Sequence, residues 1–264
     1  MTSTAAAPPP PRAYRRLSVE ERRAQLLVAA LGLFAHRAPD EVSLDEVAVA
    51  AGVSRPLVYR YFPGGRQQLY EAALGSAADE LKLCFTEPPV GPPTERVARV
   101  LDRYLRFVDE HDTGFSALLR GGSVVETSRT TTIVDGVRRA AAEEILSHLG
   151  RIGGAGAPGA GATGSAGPRL RMMVRSWIAA VEAASLIWLD EGKQPPAAEL
   201  RGWLVDHLIA LLAATAATDE ETATVVRDLL ALETSDGPAG RLAELVIPVV
   251  AEAAHLLPHA TAAD

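Results

Sequence analysis

The chain has 264 residues, a formal net charge of −7, and 48% hydrophobic against 22% charged residues, which excludes wholesale disorder and argues against a broad basic glove for nucleic acid. Its one cysteine, Cys84, excludes an internal disulfide framework and a multi-cysteine metal site. No apolar run reaches the roughly 18 residues of a membrane span, and the opening MTSTAAAPPPPRAYRR lacks the basic-then-apolar order of a secretory signal, so a cytoplasmic protein with no membrane partner is expected.

The charge is unevenly spread. Residues 12–80 hold nine basic and nine acidic side chains, so the negative excess lies downstream. Within residues 12–37, six arginines face Glu20 and Glu21, a local balance of +4. A basic end on an acidic body suits a polyanionic partner, and it equally suits a solvated helix face.

Residues 1–16 are Ala/Pro-rich and read as a disordered arm; residues 150–168, almost all Gly, Ala, Pro and Ser, read as a flexible loop. Alternating Val/Ile/Thr runs are nearly absent, so the expected fold is all-α. The first helix starts at Ser18, where Ser18 and Glu21 have capping-box spacing, and Leu26, Ala30, Leu33 and Phe34 recur on one face until Pro39-Asp40. A second box, Ser43 with Glu46, opens a short helix that runs to Ala51 and stops at Gly52. Ser54 is expected to cap a third helix, Arg55 to about Phe62, with Pro56 in its first turn. Pro63-Gly64-Gly65 closes it, and a longer helix follows from Arg66 to Phe85.

Further helices are expected near 94–111, 114–120, 126–149, 169–190, 197–217, 219–233 and 240–257, about eleven in all. Ile133, Val137, Ala141, Ile145 and Leu149 make one stripe along 126–149. Thr218 and Glu221 offer another capping box, and Pro248 should kink the last helix.

Ser43 to Phe62, SLDEVAVAAGVSRPLVYRYF, has the spacing of a helix-turn-helix. Ala48 is small where the helices cross, Gly52 can take positive φ at the turn, and Val53 and Val58 are apolar where the second helix must bury. That leaves Arg55, Leu57, Tyr59, Arg60 and Tyr61 to face outward. Arginine pairs two-pronged with guanine, apolar carbon meets thymine methyls, and tyrosine hydroxyls reach phosphate. A helix pair that merely packs would share the same spacing.

Residues 20–75 resemble the TetR family of bacterial transcriptional regulators. The likeness rests on Ala29-Ala30, Leu33-Phe34, Ser43, Val47-Ala48, Ala51-Gly52-Val53-Ser54 and Val58-Tyr59-Arg60-Tyr61-Phe62. Two departures stand out: Arg37-Ala38-Pro39 where a glycine usually follows the first helix, and Pro63-Gly64-Gly65-Arg66, one residue longer than the usual turn. The resemblance implies a DNA-binding domain over 17–75 and a helical ligand-binding and dimerisation domain over 76–264. It implies that Ser43 and the amides beside it hold a phosphate, that Arg55, Pro56, Leu57 and Tyr59 face the major groove, and that Arg60, Tyr61 and Arg66 touch the DNA backbone. Either tyrosine is open to a part in the core. Arg12, Arg15 and Arg16 are open to reading as an added arm or as a solvated tail.

The same resemblance implies a homodimer on a near-palindromic double-stranded operator and a small-molecule ligand. The helices at 169–190 and 197–217 then supply an intersubunit bundle from Met172, Met173, Trp177, Val181, Ala184, Trp188, Leu204, Leu208, Leu211 and Leu212, which an intrachain core would also explain. Phe107, Phe115, Leu118, Leu119, Trp177 and Ile178 are candidates for an apolar pocket, or for ordinary core.

No catalytic residues, metal site or cofactor are expected. The six histidines fit no zinc spacing, Ser123 lacks a nucleophile elbow, and residues 150–167 lack the Lys-Ser/Thr of a phosphate loop. The leading expectation is a ligand-responsive repressor, working in the bacterial cytoplasm and on the nucleoid when bound to DNA. The alternative is a helical small-molecule-binding or interaction protein whose helix-turn-helix is structural.

Overall fold

A computed structural model describes residues 17–119, 128–153 and 166–244. Ten α-helices lie within them: α1 Val19–Phe34, α2 Leu44–Ala50, α3 Arg55–Tyr61, α4 Gly65–Phe85, α5 Pro93–Glu110, α6 Asp112–Leu119, α7 Ser128–Gly153, α8 Pro168–Asp190, α9 Ala197–Ala216 and α10 Glu220–Leu230. Residues 238–244 are helical as well, and no strand occurs among the described residues. The Pro248 kink, the arm arginines and most of the expected glycine-rich loop lie outside them.

The starts of α1 and α2 follow from their capping boxes. Ser18 Oγ accepts the Glu21 amide at 3.0 Å while Glu21 accepts the Ser18 amide at 2.7 Å. Ser43 and Glu46 repeat the exchange at 3.2 and 2.9 Å. Two expected caps differ. Ser54 has the extended backbone of a cap but its side chain makes no cap bond: Pro56 has no N–H to offer, and the Leu57 N–H bonds the Ser54 carbonyl at 3.0 Å. The cap of α10 is Asp219, not Thr218. Its carboxylate accepts from the Thr222 amide and hydroxyl at 3.0 and 2.6 Å, while Glu221 instead accepts the Gly167 amide at the start of α8. Helix α7 also runs to Gly153, into the stretch expected as loop.

Two apolar clusters organise the helices. Leu26, Ala30, Phe34, Val47, Val58, Phe62, Leu69 and Tyr70 are buried together among α1–α4. Leu101, Leu105, Val108, Val174, Trp177, Leu204 and Leu208 belong to the second cluster, among α4–α10. Helix α4 serves both, with Leu69, Tyr70 and Ala73 in the first and Leu81 in the second. The body is pinned across helices by Trp177 Nε1 donating to the Leu204 carbonyl at 3.0 Å, by Arg201 to Asp102 at 2.9 Å, and by Arg138 to Glu182 at 2.9 Å.

By length and composition α8 is apolar enough to cross a membrane, although it holds no uninterrupted apolar run of that length. Arg175 and Glu182 interrupt it, and Met173, Val174, Trp177, Val181 and Trp188 pack it into the second cluster, as in a core helix.

Candidate nucleic-acid interface and ligand cavity

The turn between α2 and α3 is a Schellman-type stop. Val53 N–H bonds the Ala48 carbonyl at 2.9 Å and Gly52 N–H bonds the Val49 carbonyl at 3.0 Å, with Gly52 at φ +63°. Gln25 of α1 donates to the Ala51 carbonyl at 2.8 Å and ties that turn to the neighbouring helix. Val58 and the following Phe62 are fully buried, which fixes the rotation of α3. The opposite side, with Arg55, Pro56, Tyr59 and Arg60, is exposed; Leu57 and Tyr61 are half-buried. Between the two tyrosines, Tyr61 packs against the first cluster and Tyr59 stands out at 41% exposure.

Arg55 is held in place rather than free. Its Nε meets Asp45 of α2 at 2.8 Å, its Nη2 donates to Tyr59 Oη at 3.3 Å, and its guanidinium lies 5.5 Å from the Tyr59 ring centre. Ser43, exposed at the start of α2, is committed within the protein: its hydroxyl donates to Glu46 at 2.7 Å. The Arg37 guanidinium at 2.6 Å, with the Ser43 hydroxyl and amide, holds the Glu46 carboxyl down at about 2. A phosphate at this helix start would therefore meet backbone amides more readily than the Ser43 hydroxyl. Arg66, exposed at the start of α4, donates to the Asp40 carbonyl at 2.8 Å, which sets its guanidinium beside the same surface.

A cavity of about 230 Å³ opens in the body. The stripe seen in the sequence, Ile133, Val137, Ala141, Ile145 and Leu149, forms its α7 wall. Four of the six pocket candidates, Phe107, Phe115, Trp177 and Ile178, line it; the Leu118 and Leu119 side chains lie outside what is described. Sequence reasoning missed the contribution of the first domain. Leu31, Phe34 and Ala35 at the end of α1, and Tyr70 and Ala73 of α4, also reach the void. Phe34 and Tyr70 meet edge to face, with ring centres 5.1 Å apart. The periodicity of α1 marked Phe34 as core without showing that the core is shared with a chamber.

The expected intersubunit face needs correction. Met173, Trp177, Val181, Trp188, Leu204, Leu208 and Leu212 are buried inside the protomer, and Ala184 and Leu211 pack against the same cluster. Each helix turns its most apolar face inward, where the second cluster absorbs it. Met172, the remaining residue of the expected set, is 65% exposed, and α8 and α9 also expose Ile187 at 60% and Trp203 at 49%, with Ala179, Ala183, Ala210 and Ala213.

Asp109 and Asp112, at a polar helix end, bind Lys193 at 2.5 and 3.4 Å, and His36 lies 3.4 Å from Asp112. Among the described residues no group of three or more His, Cys, Asp or Glu could hold a metal. Burial pushes the Cys84 thiol up from its ordinary value, which suits a packed thiol.

With this arrangement in view, the comparisons are specific. Residues 26–73 match the model of the bacterial regulatory proteins of the tetR family, and residues 93–211 match that of the tetracyclin repressor-like C-terminal domain. A tetR-family transcriptional regulator of Streptomyces coelicolor is 50% identical, with TM-score 0.78 over 90% of this chain and 100% of its own. The chain belongs to the TetR family. It is a transcriptional regulator with a DNA-binding helix-turn-helix, and not an enzyme. A putative TetR-family regulator of a Rhodococcus species, at 22% identity and TM-score 0.56 over 73% of this chain and 99% of its own, shares the fold. Among curated relatives, the transcriptional activator FasR of Mycolicibacterium smegmatis is 29% identical over 42% of this chain and 51% of its own length. The transcriptional repressor Rv3405c of Mycobacterium tuberculosis is 36% identical over 34% of this chain and 45% of its own length. The chain spans about half the length of these two curated relatives.

Proposed function

We propose that the protein acts as a homodimer on a near-palindromic duplex operator and represses transcription until a small apolar ligand releases it. The observation that carries this reading is the exposed face of α3, Arg55-Pro56 with Tyr59-Arg60, set opposite a sealed Val58 and Phe62. Such a rod presents donors and apolar carbon to a major groove while its register stays fixed. Residues 17–75 form the reading head and residues 76–264 the body that holds ligand and partner. Arg55, Pro56, Leu57 and Tyr59 meet base edges; Arg60, Tyr61, Arg66 and the amides at Ser43 meet phosphates. A two-fold axis through the exposed sides of α8 and α9 brings two reading heads to a spacing of about 34–36 Å or a related one.

Ligand in the cavity touches Phe34 and Tyr70, so it favours one position of the head over another and shifts the population away from the spacing DNA selects. The place of action is the bacterial cytoplasm, on the nucleoid when DNA is bound. A second reading, activation, is favoured by one relative being named an activator. Selection of bound duplexes from a random pool tests the DNA reading: an enriched inverted repeat supports it, and equal retention of shuffled duplexes overturns it. Transcription in vitro from a template carrying that repeat separates repression from activation.

A further inference from the structure

The walls of the cavity are mostly carbon, and most of the polar groups around it are already engaged within the protein. His111, also in the lining, places Nδ1 on the Phe107 carbonyl at 2.9 Å and stacks on the Phe107 ring. Glu87 is held by Arg99 at 2.6 Å and Arg103 at 2.7 Å. Burial pushes the Glu87 carboxyl up, and the two guanidinium hydrogen bonds more than reverse it, so it stays ionised. Arg138 is bound by Glu182 at 2.9 Å and Asp135 at 3.3 Å. His148 uses both ring nitrogens, on the Glu144 carbonyl at 2.8 Å and the Glu87 carbonyl at 3.1 Å, and its Nδ1 also lies 3.3 Å from the Glu144 carboxylate. Thr94 is taken by Glu233 through its amide and hydroxyl at 2.7 and 2.6 Å.

Two polar side chains in the wall hide their polar atoms. Tyr104 lines the void, yet its hydroxyl oxygen is sealed inside the protein beside Ser185, which donates to the Val181 carbonyl at 2.8 Å. Arg96 likewise has Nε and Nη2 sealed in, and it has a partner in the protein. An ionised ligand group in this chamber would have to break one of these bridges or stay uncompensated in a poorly solvated site, and both are unfavourable.

We propose that the cavity selects uncharged hydrocarbon-bodied molecules of roughly ten carbons and rejects ionised ones of the same shape. The size follows by scaling: an apolar cavity of about 150 Å³ holds benzene. This rests on the cavity being the ligand site of the regulator proposed above, and it adds the charge state and size of the ligand. Recognition is then mainly by shape and dispersion.

The test uses the full chain without DNA and three probes of equal chain length at pH 7.5: 1-decanol, decanoate and decylammonium. Titration calorimetry and thermal melting read the binding. The expected result is saturable 1-decanol binding, with each ion at least tenfold weaker. Either ion binding as well as the alcohol, or no binding by any of the three, overturns the proposal. Ala141→Phe, which fills the void from α7, should abolish 1-decanol binding; persistence places the alcohol elsewhere and overturns the assignment. If that variant fails to fold by circular dichroism, Val137→Phe takes its place under the same criterion. Duplex retention is measured separately on the ligand-free chain. A failure of probe selectivity leaves the DNA reading standing, and a chain that takes 1-decanol but no duplex overturns only the DNA reading.

Discussion

The Asp45 carboxylate, in the first turn of α2, grips Arg55 at the start of α3 at 2.8 Å, so the residue proposed to read a base is steadied by the helix behind it. This bridge is exposed on both sides, where water and salt screen it, so it adds little to stability. Its weight lies in aim. Asp45→Asn should leave the melting temperature almost unchanged while broadening the set of duplexes recovered by selection. Arg55→Ala should go further and remove about 1–3 kcal/mol of discrimination at one base pair, read as the affinity ratio between the best duplex and its single-base variant. An unchanged ratio would remove Arg55 from the reading surface.

Arg66 is expected to behave differently. Its guanidinium is anchored on the Asp40 carbonyl and lies next to the start of α2. Arg66→Ala should weaken every duplex by a similar factor and reduce the slope of log affinity against log salt by about one. A change in sequence preference with an unchanged slope would contradict a phosphate role.

Acid stability should report Glu46. Its folded pKa of about 2 lies below the ordinary 4.5, because Arg37 and Ser43 bond the ionised form. The contribution to stability is therefore complete above about 4.5 and is lost as pH falls toward 2. Glu46→Gln should flatten the fall of melting temperature between those values and lower the plateau near neutrality. Parallel curves for the two proteins would show that Glu46 is not coupled to folding.

The two sets of apolar residues on α8 and α9 should separate cleanly. Leu204, fully buried, should cost about 2–5 kcal/mol of protomer stability on change to alanine. Ala183→Glu and Trp203→Ala, on the exposed sides, should leave secondary structure intact and shift sedimentation from dimer toward monomer. A dimer untouched by both changes would move the two-fold axis elsewhere.

Local signals were legible where a residue acts on its own neighbours. The boxes at Ser18 and Ser43, the stop at Gly52 and the buried Val58 can each be argued within about five residues of chain, and the structure has them as argued. The α7 stripe was legible as a face, but periodicity says only that a face is apolar, not whether it meets side chains or a void. The same limit misdirected the reading of Trp177 and Leu204. A helix whose strongest apolar side faces its own core looks, in sequence, like one whose strongest side faces a twin. The roles of Phe34 and Tyr70 at the chamber required knowing which helices lie across from α1 and α4, and no spacing encodes that.

Helix α4 contributes to the buried cluster of the reading head with one end and to that of the body with the other, along 21 unbroken residues. Engineers who wish to graft this head onto another body cannot cut at residue 75 without exposing apolar flanks on both fragments. The exchangeable unit ends after Phe85, and a working hybrid must inherit the entire rod together with the Ile133 to Leu149 edge against which its far half is seated.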